Sequence, residues 1–300
     1  MWTAGLAVDI LGVRIGLRCD NIELLHDATA RLPPSWRACV SPVVDSLLSI
    51  RAGGPGKSRG VSRYYLLYDG AGLVTRTRDR QELLDRVAST VDLAVAERTT
   101  ERLFVHAGVV AWRDRGILIP GSTFTGKTSL VAALLRAGAT YYSDDRALLD
   151  ENGRVHPYPR PLGIRDRGTA RQRSLAPEEM GAPIGREPLP VGLIAFTHYA
   201  DGARWQPRRL SAAQALLALL EHTSAVRSRP LAALEILGRA IGGATVLTGV
   251  RGDAAETAAL LLDTAGTTLR PPPTSHGSIV VPRPSDEVKA CTIPLNVRTG

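Results

Sequence analysis

The feature that most constrains the fold of this chain is a glycine-containing run, residues 121–128, that lies between two apolar segments. The short apolar stretch at residues 117–120 is typical of a buried strand. The Ala/Leu-rich stretch at residues 127–137 is typical of a helix that ends at Gly138. The run fits the pattern G-x-x-x-x-G-K-[ST]. A strand, a tight turn and a helix in this order predict an α/β sheet with an anion-binding site at the start of the helix.

The residue types in this run suit the chemistry of a phosphate loop. Glycine lets the backbone approach phosphate oxygens, and backbone N–H groups of the turn point toward one place. Lys127 would supply a cation for the β- and γ-phosphate oxygens, and the Thr128 hydroxyl would ligate Mg²⁺. The sequence therefore predicts binding of a nucleoside triphosphate, ATP with Mg²⁺, by Gly121, Ser122, Thr123, Phe124, Thr125, Gly126, Lys127, Thr128 and Ser129.

Three further side chains are candidates for the same site. Asp144 and Asp145 follow the next predicted strand, residues 140–143, whose end lies near the loop if the two strands run in the same direction. One carboxylate there can hold Mg²⁺ and the other can take a proton from an incoming hydroxyl, although a solvated turn would give the same pattern. His106 lies in a strand predicted over residues 103–111, where a single His is commonly a core residue.

The chain divides by pattern into three predicted domains. Residues 1–100 read as a small α/β unit, residues 101–268 alternate strands with helices, and residues 269–300 lack apolar periodicity and read as a loosely ordered tail. Within the second domain, residues 163–190 read as a long irregular stretch that could cover an acceptor.

Local signals in the first domain predict its elements. A strand is predicted from residue 8 to residue 17. One helix is predicted from Asn21, as N-cap, toward Arg31, and a second follows Asp79 and runs to about Arg98.

Charge and cysteine content narrow the function classes. The net charge is +8, but the arginines are scattered and aromatic residues make up only 5%, so no nucleic-acid partner is predicted. No apolar run reaches the roughly 18–20 residues of a membrane-spanning helix, and the start of the chain lacks a secretory-signal pattern. The distant cysteines Cys19, Cys39 and Cys291 form no CxxC, which predicts a reducing, cytoplasmic setting without a zinc site.

Taken in order, these motifs resemble the HPr kinase/phosphorylase family and its HprK-like relatives, from about Phe104 to Arg165. The similar segments are His106-Ala107-Gly108-Val109, the apolar strand, the loop, Arg136-Ala137-Gly138 and Ser143-Asp144-Asp145. Residues 156–165 also resemble a Pro-Arg-Pro segment of HprK-like kinases, which have a basic residue near the position of Arg165.

The resemblance implies a nucleotide-binding domain of the phosphoenolpyruvate-carboxykinase type that transfers the γ-phosphoryl group of ATP to a serine-like hydroxyl of a peptide, protein or small molecule. Carried over, Asp144 would be the base, Asp145 would sit at the metal with Thr128, and Arg165 would bind nucleotide. His106 would lie near the transferred phosphoryl group or orient Asp144. The division of roles between the two aspartates stays open. A homo-oligomer is also possible on the sequence alone.

The chain also departs from the family pattern. Phe124 stands where the family usually has glycine, the signature motif after the Asp pair is not recognisable, and residues 1–100 do not match the family's N-terminal domain. HPr itself is therefore not the expected acceptor. Ribosomal-peptide tailoring is one context for such kinases. The alternatives are a non-catalytic nucleotide sensor or scaffold and an ATPase that needs no acceptor.

Overall fold

The computed structural model describes residues 2–41, 43–55, 62–122, 125–165 and 172–268. The chain divides into two compact units, Met1–Leu269 and Arg270–Gly300, and every described residue belongs to the first. The predicted tail thus lies outside the described residues. The first unit has a mixed α/β organisation, as predicted.

Helices in the described ranges have the following bounds: α1 Ile22–Thr29, α2 Arg80–Arg98, α3 Lys127–Arg136, α4 Ala212–Leu220, α5 Pro230–Gly242 and α6 Ala254–Thr268, with a 3₁₀ turn at Pro177–Met180. None of these helices combines the length and the apolar character that a membrane span requires. The strands are β1 Ala4–Ile10, β2 Val13–Cys19, β3 Arg37–Ala38, β4 Ser46–Arg51, β5 Gly54–Pro55, β6 Ser62–Arg63, β7 Tyr65–Asp69, β8 Gly72–Thr77, β9 Leu103–Val105, β10 Ala107–Trp112, β11 Arg115–Pro120, β12 Thr140–Ser143, β13 Ala147–Leu149, β14 Arg154–His156, β15 Leu162–Arg165, β16 Gln172–Leu175, β17 Leu189–Tyr199, β18 Arg208–Arg209 and β19 Thr245–Arg251.

The first sheet has the strand order β3-β1-β2-β4-β7-β8, and α1 and α2 pack with it around a common core. The single strand predicted over residues 8–17 is wrong. Leu11 (φ 53°) and Gly12 (φ 76°) form a tight turn between β1 and β2. Ile10 and Val13 face each other across this turn, so the apolar alternation continues through it and does not reveal the break.

The two predicted helix caps of this region are confirmed. The Asn21 side chain accepts a 2.8 Å hydrogen bond from the Leu24 N–H, and Asp79 accepts one of 2.7 Å from the Gln81 N–H. Each cap satisfies a backbone donor that the first helical turn leaves free. The first helix ends at Thr29, slightly before the predicted end at Arg31.

The second sheet has the order β12-β10-β11-β17-β14-β13-β9, and β19 also pairs with β17. Strand β11 is parallel to β17, and β17 is parallel to β19, so these strands end at the same edge of the sheet. Antiparallel β10 lies between β11 and β12, which therefore run in the same direction. Helices α3 and α6 cover one face of the sheet and α4 and α5 the other, which gives three layers.

The strand predicted over residues 103–111 is wrong as a single element because it breaks at His106. Segment β9 pairs with β13, whereas β10 pairs with β11 and β12. The His106 N–H donates to the His222 carbonyl at 2.6 Å, and the His106 carbonyl accepts from the Gly121 N–H at 3.2 Å. The break thus fixes His106 beside the first residue of the glycine-containing loop.

The stretch predicted to be irregular over residues 163–190 contains regular structure instead. Strands β15 and β16 pair as an antiparallel ladder from Leu162↔Leu175 to Arg165↔Gln172. The residues between these two strands, 166–171, lie outside the described part of the chain.

Candidate functional site

The glycine-containing loop joins β11 directly to α3, as predicted. Gly126 precedes α3 with a left-handed backbone (φ 80°), and no side chain caps the helix. A Cβ atom at this position would lie 2.4 Å from Nη2 of Arg251 and would displace that side chain, and the left-handed conformation itself favours glycine. The first N–H groups of α3 therefore point outward from the loop with a partial positive charge.

Lys127 lies inside the loop, with only 6% of its surface exposed. Its ammonium group donates hydrogen bonds to the carbonyl oxygens of Gly121 (2.7 Å) and Ser122 (3.0 Å). Burial lowers the pKa of Lys127, and the negative charges of Asp145 and Asp144 oppose this effect. The loop thus carries a desolvated cation whose counter-charges come from the neighbouring strand end.

Asp144 is buried and contacts the first turn of α3. Its Oδ2 accepts a 2.9 Å hydrogen bond from the Thr128 hydroxyl, while Oδ1 accepts no bond of normal geometry from the described residues. Burial raises the pKa of Asp144 to about 6; Asp145 acts in the same direction, and Thr128, the Gly163 amide and Lys127 oppose it.

Asp145, the next residue, is in a different environment, because 57% of its side chain is exposed. Oδ1 lies 2.8 Å from Nε2 of His106, and Oδ2 lies 3.6 Å from Nε of Arg146. Desolvation raises its pKa, but His106, Arg146 and Lys127 together outweigh that effect and bring the pKa to about 2. Asp145 is therefore an ionised carboxylate that a ligand in solution can reach.

His106 connects the lysine and the accessible aspartate. Its Nε2 atom lies 2.9 Å from the Lys127 ammonium nitrogen and 2.8 Å from Oδ1 of Asp145. One ring nitrogen cannot accept a proton from Lys127 and donate one to Asp145 at the same time. The proton positions of these three groups are consequently linked.

A cavity of about 690 Å³ opens beside the loop. It is lined by side chains of the loop, of the strand end after β12 and of the segment before β15, including Ser122, Lys127, Thr128, Ser129, Asp144, Asp145, Arg146 and Arg160. A second cavity of about 610 Å³ shares Ser122 with the first and lies at the ends of parallel β17 and β19, where α/β sheets commonly bind ligands.

One wall of the first cavity comes from the first sheet's helix α2. Asp92 forms an ion pair with Arg160 and accepts a 3.1 Å hydrogen bond from the Tyr158 hydroxyl. Arg160 also donates to the Arg31 carbonyl at 3.3 Å. These contacts fix Arg160 at the cavity.

The structure brings together five of the residues predicted for the site: His106, Lys127, Thr128, Asp144 and Asp145. Gly121, Ser122, Thr125, Gly126 and Ser129 lie in or beside the same loop. Thr123, Phe124 and the Arg165 side chain lie outside the described part of the structure, so their predicted roles remain predictions.

Arg251 is a site residue that the sequence pattern did not single out. It is the last residue of β19 and only 2% exposed. Its guanidinium donates to the carbonyl oxygens of Gly126 (2.7 Å) and Gly252 (3.0 Å). The sequence feature that could have indicated this role is an arginine at the end of an apolar strand, directly before Gly252.

Comparisons with known proteins add no family to this description. No protein-family model matches the chain, and no curated protein matches it either.

Proposed function

We propose that the chain is a Mg²⁺-dependent kinase that transfers the γ-phosphoryl group of ATP to a serine-like hydroxyl on a peptide, protein or small molecule. The observation that carries the proposal is the convergence of Lys127, Thr128 and both aspartates around one cavity beside the loop, with His106 in contact with Lys127 and Asp145. The proposal includes an HPr kinase-like, phosphoenolpyruvate-carboxykinase-type nucleotide fold for the second sheet and its helices.

The loop supplies the triphosphate site in this proposal. Backbone N–H groups at the start of α3 and the Lys127 ammonium would contact the phosphate oxygens and stabilise the charge that develops on them. The Lys127 ammonium group donates hydrogen bonds to the carbonyl oxygens of Gly121 and Ser122. It therefore lies on the concave side of the loop, where the phosphate groups would bind.

The donor set beside the loop fits Mg²⁺. Among the described residues, no cluster of three or more His, Cys, Asp or Glu side chains could hold a metal alone. Mg²⁺ at nucleotide sites takes only one or two protein ligands, together with waters and phosphate oxygens. The Thr128 hydroxyl and Asp144 form such a sparse set, and Oδ1 of Asp144 has no other partner of normal geometry in the described structure. A bound Mg²⁺ would neutralise phosphate charge.

The geometry favours roles for the two aspartates opposite to those first expected. Asp144 is buried and bonded to Thr128, which suits a metal-side carboxylate. Asp145 is ionised and exposed to the cavity, which suits a carboxylate that orients the acceptor hydroxyl and takes its proton late in the transfer. The acceptor oxygen would attack the γ-phosphorus, the bond to the β-phosphate oxygen would break, and the acceptor proton would pass to Asp145.

The exposure of Asp145 also favours a second candidate function. A carboxylate with 57% of its side chain exposed is as accessible to water as to an acceptor hydroxyl. An ATPase that needs no acceptor would use the same residues, with water as the nucleophile. The two functions differ only in where the phosphoryl group goes.

The test incubates the protein with Mg²⁺ and ATP, with and without a library of serine-containing peptides. It measures peptide phosphorylation by mass spectrometry and phosphate release by a colorimetric assay. We expect phosphopeptides with wild type and a loss of at least about 100-fold with Asp145→Asn. Phosphate release unchanged by peptide would establish the ATPase instead, and equal transfer by Asp145→Asn would eliminate the proposed base.

A further inference from the structure

The first sheet has one face that its helices do not cover in the described structure. Residues on this face form two rows across neighbouring strands, one of Arg18, Ser49, Tyr68 and Leu73 and one of Arg51, Leu66 and Arg76. A cavity of about 590 Å³ is lined by Tyr68 and Leu73 of the first row, by all of the second row and by the acidic residue Asp20. We call the residues of the two rows, with Trp2, Arg63, Tyr64 and Arg78, the arginine face.

The arginine face carries an excess of positive charge. It contains five arginines, of which only Arg51 forms an ion pair within the described residues, to Asp20 at 3.5 Å. Arg18 instead donates to the Ser49 hydroxyl at 2.8 Å. Arg51, Arg63 and Arg76 are exposed around the cavity. A ligand that brings carboxylates would therefore meet the other four guanidinium groups without displacing an ion pair of the described residues, and at Arg51 it would compete with Asp20.

Stacking on aromatic rings holds four of these arginines in place. The guanidinium carbons of Arg18 and Arg51 lie 4.5 and 5.2 Å from the ring centroid of Trp2. Those of Arg76 and Arg78 lie 4.0 and 4.9 Å from the Tyr64 ring. Stacked guanidinium groups are preorganised and keep their N–H donors free at the edge.

The same stacking disfavours a nucleic acid as the partner. Single-stranded nucleic acids bind by placing bases on exposed aromatic rings. Here guanidinium groups already lie over the rings of Trp2 and Tyr64. Carboxylate and phosphate oxygens pair equally with guanidinium edges, so the stacking disfavours base recognition, and it is the sheet edge that favours an acidic polypeptide.

The edge of the sheet gives this polypeptide a defined place. Strand β8 is the last strand in the order, and no other strand of the described structure pairs with its outer edge. Leu73 and Val74 in β8 are 55% and 42% exposed. An extended peptide can add to such an edge as a further strand, because the backbone groups there are free to pair.

We propose that the arginine face binds an extended acidic peptide segment that pairs with the outer edge of β8. Acidic side chains of the segment contact Arg76 and its neighbouring arginines, and apolar side chains contact Leu66 and Leu73. The segment belongs to a protein or peptide partner. This proposal goes beyond the kinase function and does not depend on it, since binding here needs neither ATP nor the phosphate loop.

The test uses a fluorescein-labelled peptide of alternating Glu and Val residues and measures its anisotropy with the full chain, without nucleotide. We expect binding that weakens as salt is raised, and a loss of about ten-fold or more with Arg76→Glu. Arg86→Glu is the matched control, because Arg86 is an exposed arginine on α2, outside the arginine face. We expect it to change affinity less than about two-fold, apart from long-range charge effects.

Three results would overturn the proposal. The first is equal or tighter binding of an alternating Lys–Val peptide or a single-stranded oligonucleotide. The second is an equal loss for the two charge-reversal variants. The third is full affinity of the Glu–Val peptide after N-methylation of every residue, because a backbone without N–H groups on either edge cannot pair with β8. None of these measurements depends on phosphoryl transfer, so failure of the kinase proposal would leave this test intact.

Discussion

The hydroxyl of Thr128 donates a 2.9 Å hydrogen bond to Oδ2 of Asp144, which joins the first turn of α3 to the end of β12. The bond links the two sequence motifs that were singled out separately, although antiparallel β10 lies between their strands. It also distinguishes Asp144 from Asp145, which bonds His106 instead. The two carboxylates are adjacent in sequence and differ in environment, so their substitution should give different defects.

Asp144→Asn is predicted to remove the effect of Mg²⁺ on ATP affinity. Wild type should bind ATP about ten-fold or more tightly with Mg²⁺ than with EDTA, because the metal would join the phosphates to Thr128 and Asp144. Isothermal titration calorimetry with and without Mg²⁺ measures the difference. Asp145→Asn is the matched control and should keep the Mg²⁺ effect while losing transfer. If the reverse pattern is found, the roles of the two aspartates are exchanged.

Lys127→Met is predicted to weaken ATP binding and to destabilise the protein without nucleotide. Lys127 donates to the carbonyl oxygens of Gly121 and Ser122. It also compensates the negative charges of Asp144 and Asp145, and removal of one member of a buried charged group leaves the others uncompensated. Loss of its contact with the phosphates should cost ATP affinity by about 100-fold. Thermal unfolding with and without Mg²⁺ and ATP gives both quantities. Unchanged ATP affinity in a folded variant would contradict the proposed triphosphate site.

Arg251→Met is predicted to weaken ATP binding through the loop rather than through direct contact. The Arg251 guanidinium bonds the Gly126 carbonyl and so helps to hold the left-handed residue that starts α3. Without this bond the N–H groups of the loop should be less well oriented, at a cost of about ten-fold in affinity. Arg209→Met, an exposed arginine on neighbouring β18, is the control and should bind ATP normally.

Much of the site was predictable because its signals are local. The loop, the helix after it and the Asp pair lie within one short stretch, and strand and helix periodicity fixes their order. The Asn21 and Asp79 caps are equally local and were found.

The features that were missed depend on contacts between distant parts of the chain. The break at His106 follows from the pairing of β9 with β13 rather than with the partners of β10. Arg251 and Gly126 are 125 residues apart, and Arg160 and Asp92 are 68 apart. No residue pattern near either partner reveals such a contact. Among the missed features, the two-residue turn at Leu11-Gly12 is the exception, because it is formed by neighbouring residues. It was missed because the apolar alternation continues from β1 into β2 without interruption.

The last prediction concerns the pH dependence of stability. Burial raises the pKa of Asp144 to about 6 from an ordinary value of 3.8. The folded protein therefore binds this proton more tightly than the unfolded chain does. Between about pH 4 and pH 6, the contribution of Asp144 to the free energy of unfolding falls as pH rises, by a total on the order of 3 kcal/mol. The contribution of Asp145, whose pKa is lowered to about 2, is lost only as pH falls below about 4.

Urea unfolding at pH 5 and pH 7 measures this slope, and Asp144→Asn isolates it. The neutral amide has no proton to bind in this range, so we expect the variant to lose less stability than wild type between pH 5 and pH 7. Other titrating groups contribute equally to both proteins and cancel in the comparison. Asp45→Asn is a control for the removal of an aspartate, because the Asp45 pKa is lowered and its partner Arg14 does not titrate in this window. Parallel slopes for wild type and Asp144→Asn would mean that Asp144 is not a desolvated carboxylate in the folded protein.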